Sequence, residues 1–308
     1  MRSALCAALL LACATGVAGG RDLLVFSAMG CGPYTPEDEA ALRFYLEREN
    51  AASGAARSSF LVHLGDINSG ADGRSGKTGE AHYAKIAELL ADGNEIPTFV
   101  VPGDNEWNDH KDPDAAWGWW SEHLLRLDER WQVPWKVLRQ SRRLENFAFL
   151  REGVLVIGIN FVGGRVHDGA EWKQRLADDL EWVSEMLDAA TRRGGVKAAV
   201  VLCQANPSVL LPKAPSKVIG RQFIDGIAER AKGFGEPLLL LHADGHKWID
   251  NVGWQEVPNL RRVQLDRVEP KFPPAQVVVR ESGGKVEFVF DRRLKDPEWK
   301  FGAEAKKD

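Results

Sequence analysis

Three times in this chain a short apolar run breaks off into a turn that carries an acidic group. Phe60-Leu61-Val62-His63-Leu64 runs into Gly65-Asp66-Ile67-Asn68, and Thr98-Phe99-Val100-Val101 into Pro102-Gly103-Asp104-Asn105-Glu106-Trp107. Later, Leu238 to Leu241 runs into His242-Ala243-Asp244-Gly245-His246. Each reads as a buried strand whose glycine-assisted turn delivers a carboxylate to the same edge of one sheet. One such turn is ordinary loop chemistry, because Gly and Asp are turn residues in their own right. Three of them, the last reading Asp-Gly-His, point to a divalent cation, whose hard oxygen ligands are carboxylates of this kind.

The segments between these turns alternate between strand and helix patterns. Leu23 to Phe26 predicts a first strand, and Thr35-Pro36-Glu37 starts a helix that ends near Glu49. A glycine-rich loop is expected from Gly70 to Gly79, then a helix carrying Tyr83, Ile86, Leu89 and Leu90. This βαβαβ order predicts an α/β fold with a mainly parallel sheet. Further on come a hairpin around Arg151-Glu152-Gly153, a long helix from Trp172 to Arg193 and a strand from Ala198 to Leu202. A helix around Phe223 to Ala231 follows, and the chain ends in β patterns at Arg262–Leu265, Gln276–Val279 and Val286–Phe290. Six of the 11 tryptophans fall between Trp107 and Trp135, where an amphipathic helix and its loop pack rings onto the body or wall the site.

With 308 residues, 44% of them hydrophobic and 27% charged, the chain has material for one large core. No linker divides it, so a single domain is expected over 21–294, with a frayed polar tail over 295–308. The net charge of −4 gives no electrostatic reason to expect nucleic acid as a partner. At the start, Arg2 and the apolar Ala4 to Ala12 precede small residues up to Gly20. That layout predicts a signal peptide over 1–19, cleaved after Ala18, and export to a periplasmic or extracellular space. A lipid anchor at Cys13 is the less fitting alternative. No later segment predicts a membrane span. Export leaves Cys31 and Cys203, which either pair in an oxidising compartment or are buried small apolar residues.

The order Gly-Asp, Gly-(Asp/Asn)-X-Glu, a strand-end polar residue and Asp-X-His resembles the calcineurin-like metallophosphoesterase superfamily. More narrowly it resembles a bacterial branch whose turns read Gly-Asp-Asn-Glu-Trp and Gln-Ala-Asn-Pro, here Gly103 to Trp107 and Gln204 to Pro207. The similarity runs from about Leu23 to about Leu265. It implies a β-sandwich flanked by helices in αββα layers, with metal ions at the strand ends. It also implies hydrolysis of a small phosphate mono- or diester by a metal-bound hydroxide.

By this resemblance Asp66 bridges two ions, and Asp104 stands where the family has an asparagine ligand. Asn105 replaces a histidine that contacts the phosphate group. Gln204 and Asp244 replace histidine ligands, and His246 matches the last histidine, as a ligand or as proton donor to the leaving oxygen. The family's opening Asp-X-His is missing from Phe26 to Tyr34. Its aspartate corresponds to Ala28 or Cys31, and the Gly30-Cys31-Gly32-Pro33-Tyr34 string favours Cys31. The first ion is left with Asp66, His246 and the Cys31 thiolate. The second keeps Asp66, Asp104, Gln204 and Asp244, an all-oxygen set that suits Mg²⁺, Mn²⁺ or Ca²⁺ better than Zn²⁺. One or two ions are therefore expected. The alternative is a degenerate relative that binds a ligand or partner without turnover.

Other polar residues have plainer readings. His63 predicts a satisfied buried histidine, and His242 stands evenly between that and a ligand. Glu106 and Asp109 either orient ligands or cap turns. His82, His110, His123 and His167 are expected at the surface, and Arg139, Arg142 and Arg143 on a solvated loop. No Gly-X-Ser-X-Gly turn supports a serine esterase.

Overall fold

The computed structural model describes residues 20–207 and 215–302, leaving aside the side chains of 215–219. Residues 1–19, the expected signal peptide with Cys13 and Ala18, and the tail beyond 302 lie outside the described residues. The strands are β1 (Arg21–Met29), β2 (Leu61–His63), β3 (Thr98–Val100), β4 (Leu138–Arg139), β5 (Phe147–Arg151) and β6 (Val154–Gly158). They continue with β7 (Ala198–Leu202), β8 (Leu238–His242), β9 (Ile249–Val252), β10 (Leu260–Gln264), β11 (Ala275–Ser282) and β12 (Lys285–Asp291). The helices are α1 (Pro36–Ala51), α2 (Gly70–Ser75), α3 (Glu80–Ala91), α4 (Pro113–His123), α5 (Gly169–Arg193) and α6 (Pro215–Phe234).

These strands form two mixed sheets. The first runs β12-β11-β1-β2-β3, with β1, β2 and β3 parallel and the β11–β12 hairpin antiparallel beside them. The second runs β4-β5-β6-β7-β8-β10-β9, parallel from β6 through β10 and antiparallel at its margins. The three acidic turns therefore do not share one sheet edge. Two follow β2 and β3 of the first sheet, and the third follows β8 of the second.

Period-two alternation sorts each strand between two cores. In β7, Ala198, Val200 and Leu202 face a layer shared with Phe26, Val62 and Phe99 of the first sheet. Ala199 and Val201, with Cys203 just beyond, face the other way, onto Trp172, Leu176 and Val183 of α5 and Phe223 of α6. The outer face of the first sheet buries Leu61 and Val100 against Tyr45, Ile86 and Trp120 of α1, α3 and α4. Phe60 and Phe149 meet edge-on across the inter-sheet layer at 5.2 Å between centroids. Burying a ring of this size stabilises by about 1.5–3 kcal/mol.

The same alternation separates the two cysteines. Cys31 belongs to the inter-sheet layer and Cys203 to the helix-facing layer, and both are free thiols. The expected pairing does not form.

Several local expectations are corrected. Part of the glycine-rich loop is helix α2, because Ser69 Oγ accepts the Asp72 N–H and Gly76 turns left-handed to close it. The chain after Lys295 is not frayed as far as 302: Trp299 is buried, stacked on Tyr45 and covered by the Arg293 guanidinium at 3.7 Å. His110 is buried, its Nε2 on the Thr78 carbonyl at 3.0 Å. Two of the three arginines are withdrawn from solvent and paired, Arg139 with Asp128 and Arg143 with Asp178 and Glu171, while Arg142 is exposed as expected, with Asp178 at 3.5 Å. Among the described residues no helix is long and apolar enough to cross a membrane.

Candidate metal centre

Four strand ends converge at one point. Cys31 follows β1, Asp66 follows β2, Asp104 follows β3, and Asp244 and His246 follow β8. Cys31, Asp66, Asp244 and His246 have φ of 57°, 62°, 69° and 61°, a left-handed conformation that costs a side-chain-bearing residue about 1–3 kcal/mol. Four such residues in one cluster mean that the surrounding structure imposes these turns. Gly65 (φ 75°) and Gly103 permit the close approach, since a Cβ on Gly65 would lie 2.6 Å from the Gly103 nitrogen and one on Gly103 2.1 Å from the Asp66 nitrogen. The two turns thus touch backbone to backbone.

Glu106 holds them together. Its buried carboxylate accepts N–H groups from Gly103 (2.6 Å), Asp66 (3.0 Å) and Ile67 (3.2 Å), and its carbonyl accepts the Tyr83 hydroxyl at 2.8 Å. Its role is turn capping. Asp109 accepts the Arg165 N–H, tying the segment after β6 to the same motif.

Asp66 is the centre of the cluster. Its Oδ1 accepts the Asn105 N–H at 3.3 Å, and its Oδ2 faces Cys31 Sγ at 3.4 Å and Gln204 Nε2 at 3.2 Å. Asp104 and Asp66 share a hydrogen bond between their carboxyl groups. Gln204 Oε1 accepts the Gly163 N–H at 2.9 Å. Because that N–H can only donate, the amide oxygen must face it, and the amide nitrogen must face Asp66. Gln204 therefore gives the site a donor, instead of turning its oxygen inward. The Asp244 carboxylate accepts the Asn206 N–H at 3.0 Å, and the Asp244 N–H points at Cys31 Sγ at 3.1 Å. A Cβ on Gly163 would lie 2.8 Å from Asp104 Oδ2 and 3.3 Å from Asp244 Oδ2, so those two carboxyls close over this glycine.

Burial sets the electrostatics. Desolvation pushes Asp66 up from the usual carboxylate range, helped by Glu106 and Asp244. It also pushes Asp104 up, helped by Asp66 and Asp244. The Cys31 thiol is raised by burial and then by the same two carboxylates, Asp66 and Asp244. His246 is exposed on its turn, with its pKa lowered by desolvation and by Arg267. One ligand atom each from Cys31, Asp66 and His246 lie within 4.8 Å of one another. Asn105 is half-buried, with its side-chain oxygen next to Gly70.

No protein-family model and no curated protein matches this chain. What it can do is read from the centre itself.

His63 and His242 stand outside the centre. His63 Nε2 donates to the Gly32 carbonyl at 2.7 Å, bracing the Cys31 turn from behind, and burial lowers its pKa to about 4. His242 Nε2 accepts from the buried Arg262 at 2.8 Å while Nδ1 donates to the Ala243 carbonyl, so both nitrogens are used.

Two contributors were given no role at the site by the sequence. Tyr34 has a buried hydroxyl without a partner. Burial raises its pKa, and then the nearby groups Asp66, Cys31, Glu106 and Asp104 raise it further. Its ring lies under Arg267 at 5.0 Å and tilts against His246. Gly163 is the other, a small residue after β6 whose importance is visible only once Asp104 and Asp244 are seen against it.

Proposed function

We propose that the chain is a metal-dependent phosphoesterase of the calcineurin-like metallophosphoesterase kind, acting on a small phosphate mono- or diester. The αββα sandwich of that kind is part of the same proposal, as are one or two divalent cations and export through residues 1–19. One observation carries the reading. Asp66, Asp104 and Asp244 are turned together at the strand ends, and their partners are backbone amides, an amide side chain, a thiol and one another. Buried carboxyls without a cationic partner are held protonated at a cost that a divalent cation would relieve. The donor set fits such an ion.

A bound cation would supply Lewis-acid activation of water and charge neutralisation at phosphoryl oxygens. The chain's own residues do the rest. The Asn105 N–H and Gln204 amide fix both oxygens of Asp66, so that its orientation is set before anything binds. Asn105, half-exposed beside Asp66, is assigned to the phosphoryl oxygens. His246, on the exposed turn, is assigned the proton of the leaving oxygen.

The test is hydrolysis of a chromogenic phosphomonoester and phosphodiester by metal-stripped protein resupplied with Mn²⁺, Mg²⁺, Ca²⁺ or Zn²⁺. Cation-dependent turnover that Asp66→Asn abolishes is the expected result. A second reading, a scaffold that binds a cation and a ligand without turnover, is favoured by Cys31 standing where the resemblance calls for a carboxylate. Cation binding with no hydrolysis under any of these conditions establishes that reading instead.

A further inference from the structure

At the corner nearest β1 the centre departs from an oxygen-only site. We propose that Cys31, Asp66 and His246 form a thiolate-bearing site that selects a borderline-soft cation of the Zn²⁺ and Co²⁺ class over Mg²⁺ and Ca²⁺. The inference rests on reading the strand-end cluster as a cation centre, and it assigns the ion class at this corner.

Spacing comes first. In a tetrahedral site with a metal–sulfur bond of about 2.3 Å and a metal–oxygen bond of about 2.0 Å, sulfur and oxygen stand about 3.5 Å apart. Cys31 Sγ and Asp66 Oδ2 are 3.4 Å apart. This pair already has the edge length of such a site, with a proton where the ion would lie. The His246 nitrogen is within 4.8 Å of both, and a movement on the order of 1 Å by its exposed turn completes three ligands. Three protein ligands leave the fourth position open to water or substrate, the arrangement of reactive rather than structural sites.

The surroundings suit a thiolate. The Asp244 N–H points at Cys31 Sγ at 3.1 Å, and the Gln204 amide donates to the ligating oxygen of Asp66 at 3.2 Å. Such outer donors fix ligand direction and steady the negative charge on sulfur and oxygen. Binding displaces the thiol proton and the proton held on the Asp66 carboxyl to solvent, leaving thiolate, carboxylate, neutral imidazole and a divalent ion, with no net charge among them. Thiolate ligation selects Zn²⁺-class ions over hard ones.

Two other uses of Cys31 fit the structure less well. A disulfide has no partner among the described residues, because Cys203 faces the opposite layer. A nucleophile would have to ionise beside Asp66 and Asp244 with no cation to offset them, in a side chain that is 1% exposed.

The experiment uses the metal-free full chain titrated with Co²⁺ and Zn²⁺, followed by near-ultraviolet absorption and calorimetry, alongside Cys31→Ser and Cys31→Asp. Wild type is expected to show a thiolate-to-Co²⁺ charge-transfer band, absent from Cys31→Ser, whose Zn²⁺ affinity falls by about 100-fold or more. Cys31→Asp is expected to narrow the Zn²⁺ preference over Mn²⁺ and Mg²⁺, because a hard carboxylate replaces the soft thiolate. Tight Co²⁺ binding by wild type with no thiolate band overturns this inference and leaves the carboxylate reading standing. No binding of any cation by folded protein overturns both. The wild-type band alone decides the matter if a variant fails to fold.

Discussion

Glu106 accepts the backbone N–H of Asp66 at 3.0 Å from forty residues along the chain, and so fixes a left-handed turn that the aspartate would not adopt alone. Glu106→Ala strands three buried N–H groups, each costing about 1–3 kcal/mol. A loss of at least about 3 kcal/mol is expected from urea unfolding. Glu106→Gln should recover part of it, because its oxygen still accepts while its amide hydrogens oppose one of the N–H groups. Equal stability for Ala and Gln would show that the clamp is not what holds the turn.

Gly163→Ala places a methyl against Asp104 and Asp244 without a forbidden backbone angle. Cation affinity is expected to fall roughly 10-fold or more, as when groups supporting metal ligands are moved. The melting temperature should change little. Calorimetric titration and a thermal melt on the same sample check both halves, and unchanged affinity would remove Gly163 from the site.

Tyr34→Phe deletes a buried hydroxyl that has no partner in the structure. Stability should match wild type or exceed it by up to about 1 kcal/mol, since nothing is left unsatisfied. If the hydroxyl serves a bound phosphate ester, KM or kcat worsens about 10-fold while cation affinity holds. Unaltered kinetics would make the hydroxyl a packing defect only.

His63 gives a pH signature. Its pKa is lowered to about 4 in the fold, so between pH 6.5 and 4 the unfolded chain takes up a proton that the folded chain refuses. The stability it contributes is complete above about pH 6.5 and is lost as pH falls, by up to about 3 kcal/mol. Asp66, Glu106 and Asp179 act in the opposite sense, since their carboxyls keep protons in the fold and their contribution declines as pH rises. The difference between wild type and His63→Gln, which keeps a donor for the Gly32 carbonyl, isolates the histidine. Parallel stability curves from pH 7 to 4.5 would refute the assignment.

Local pattern carried the strands and helices well. The short, continuously apolar runs Val154–Ile159 and Ala198–Leu202 read as buried strands, and the stripe Leu176, Val183 and Leu187 as the inner face of α5. Pairing was not legible. Leu238 to Leu241 is apolar on both faces, so nothing in it says which sheet it joins, and it was read into the wrong one. β9 was missed because its exposed face carries Asp250 and Val252 alike. In the site, residue types were visible but directions were not. Gln204 points its nitrogen at Asp66 because Gly163 lies 41 residues away in sequence and next door in space. The two cysteines looked like partners until the alternation of β7 put one on the far face.

The centre is assembled across a seam. Cys31, Asp66 and Asp104 ride on one sheet, and Gln204, Asp244 and His246 on the other, with Gly30 pressed so close to Ala243 that a methyl there would sit 2.8 Å from its Cβ. Neither half holds the set alone. If the centre holds a cation as proposed, its affinity is a gauge of how firmly the apolar layer between the sheets is locked. Warming or mild denaturant that loosens that layer should release the ion while the far-ultraviolet signal of both sheets is still intact.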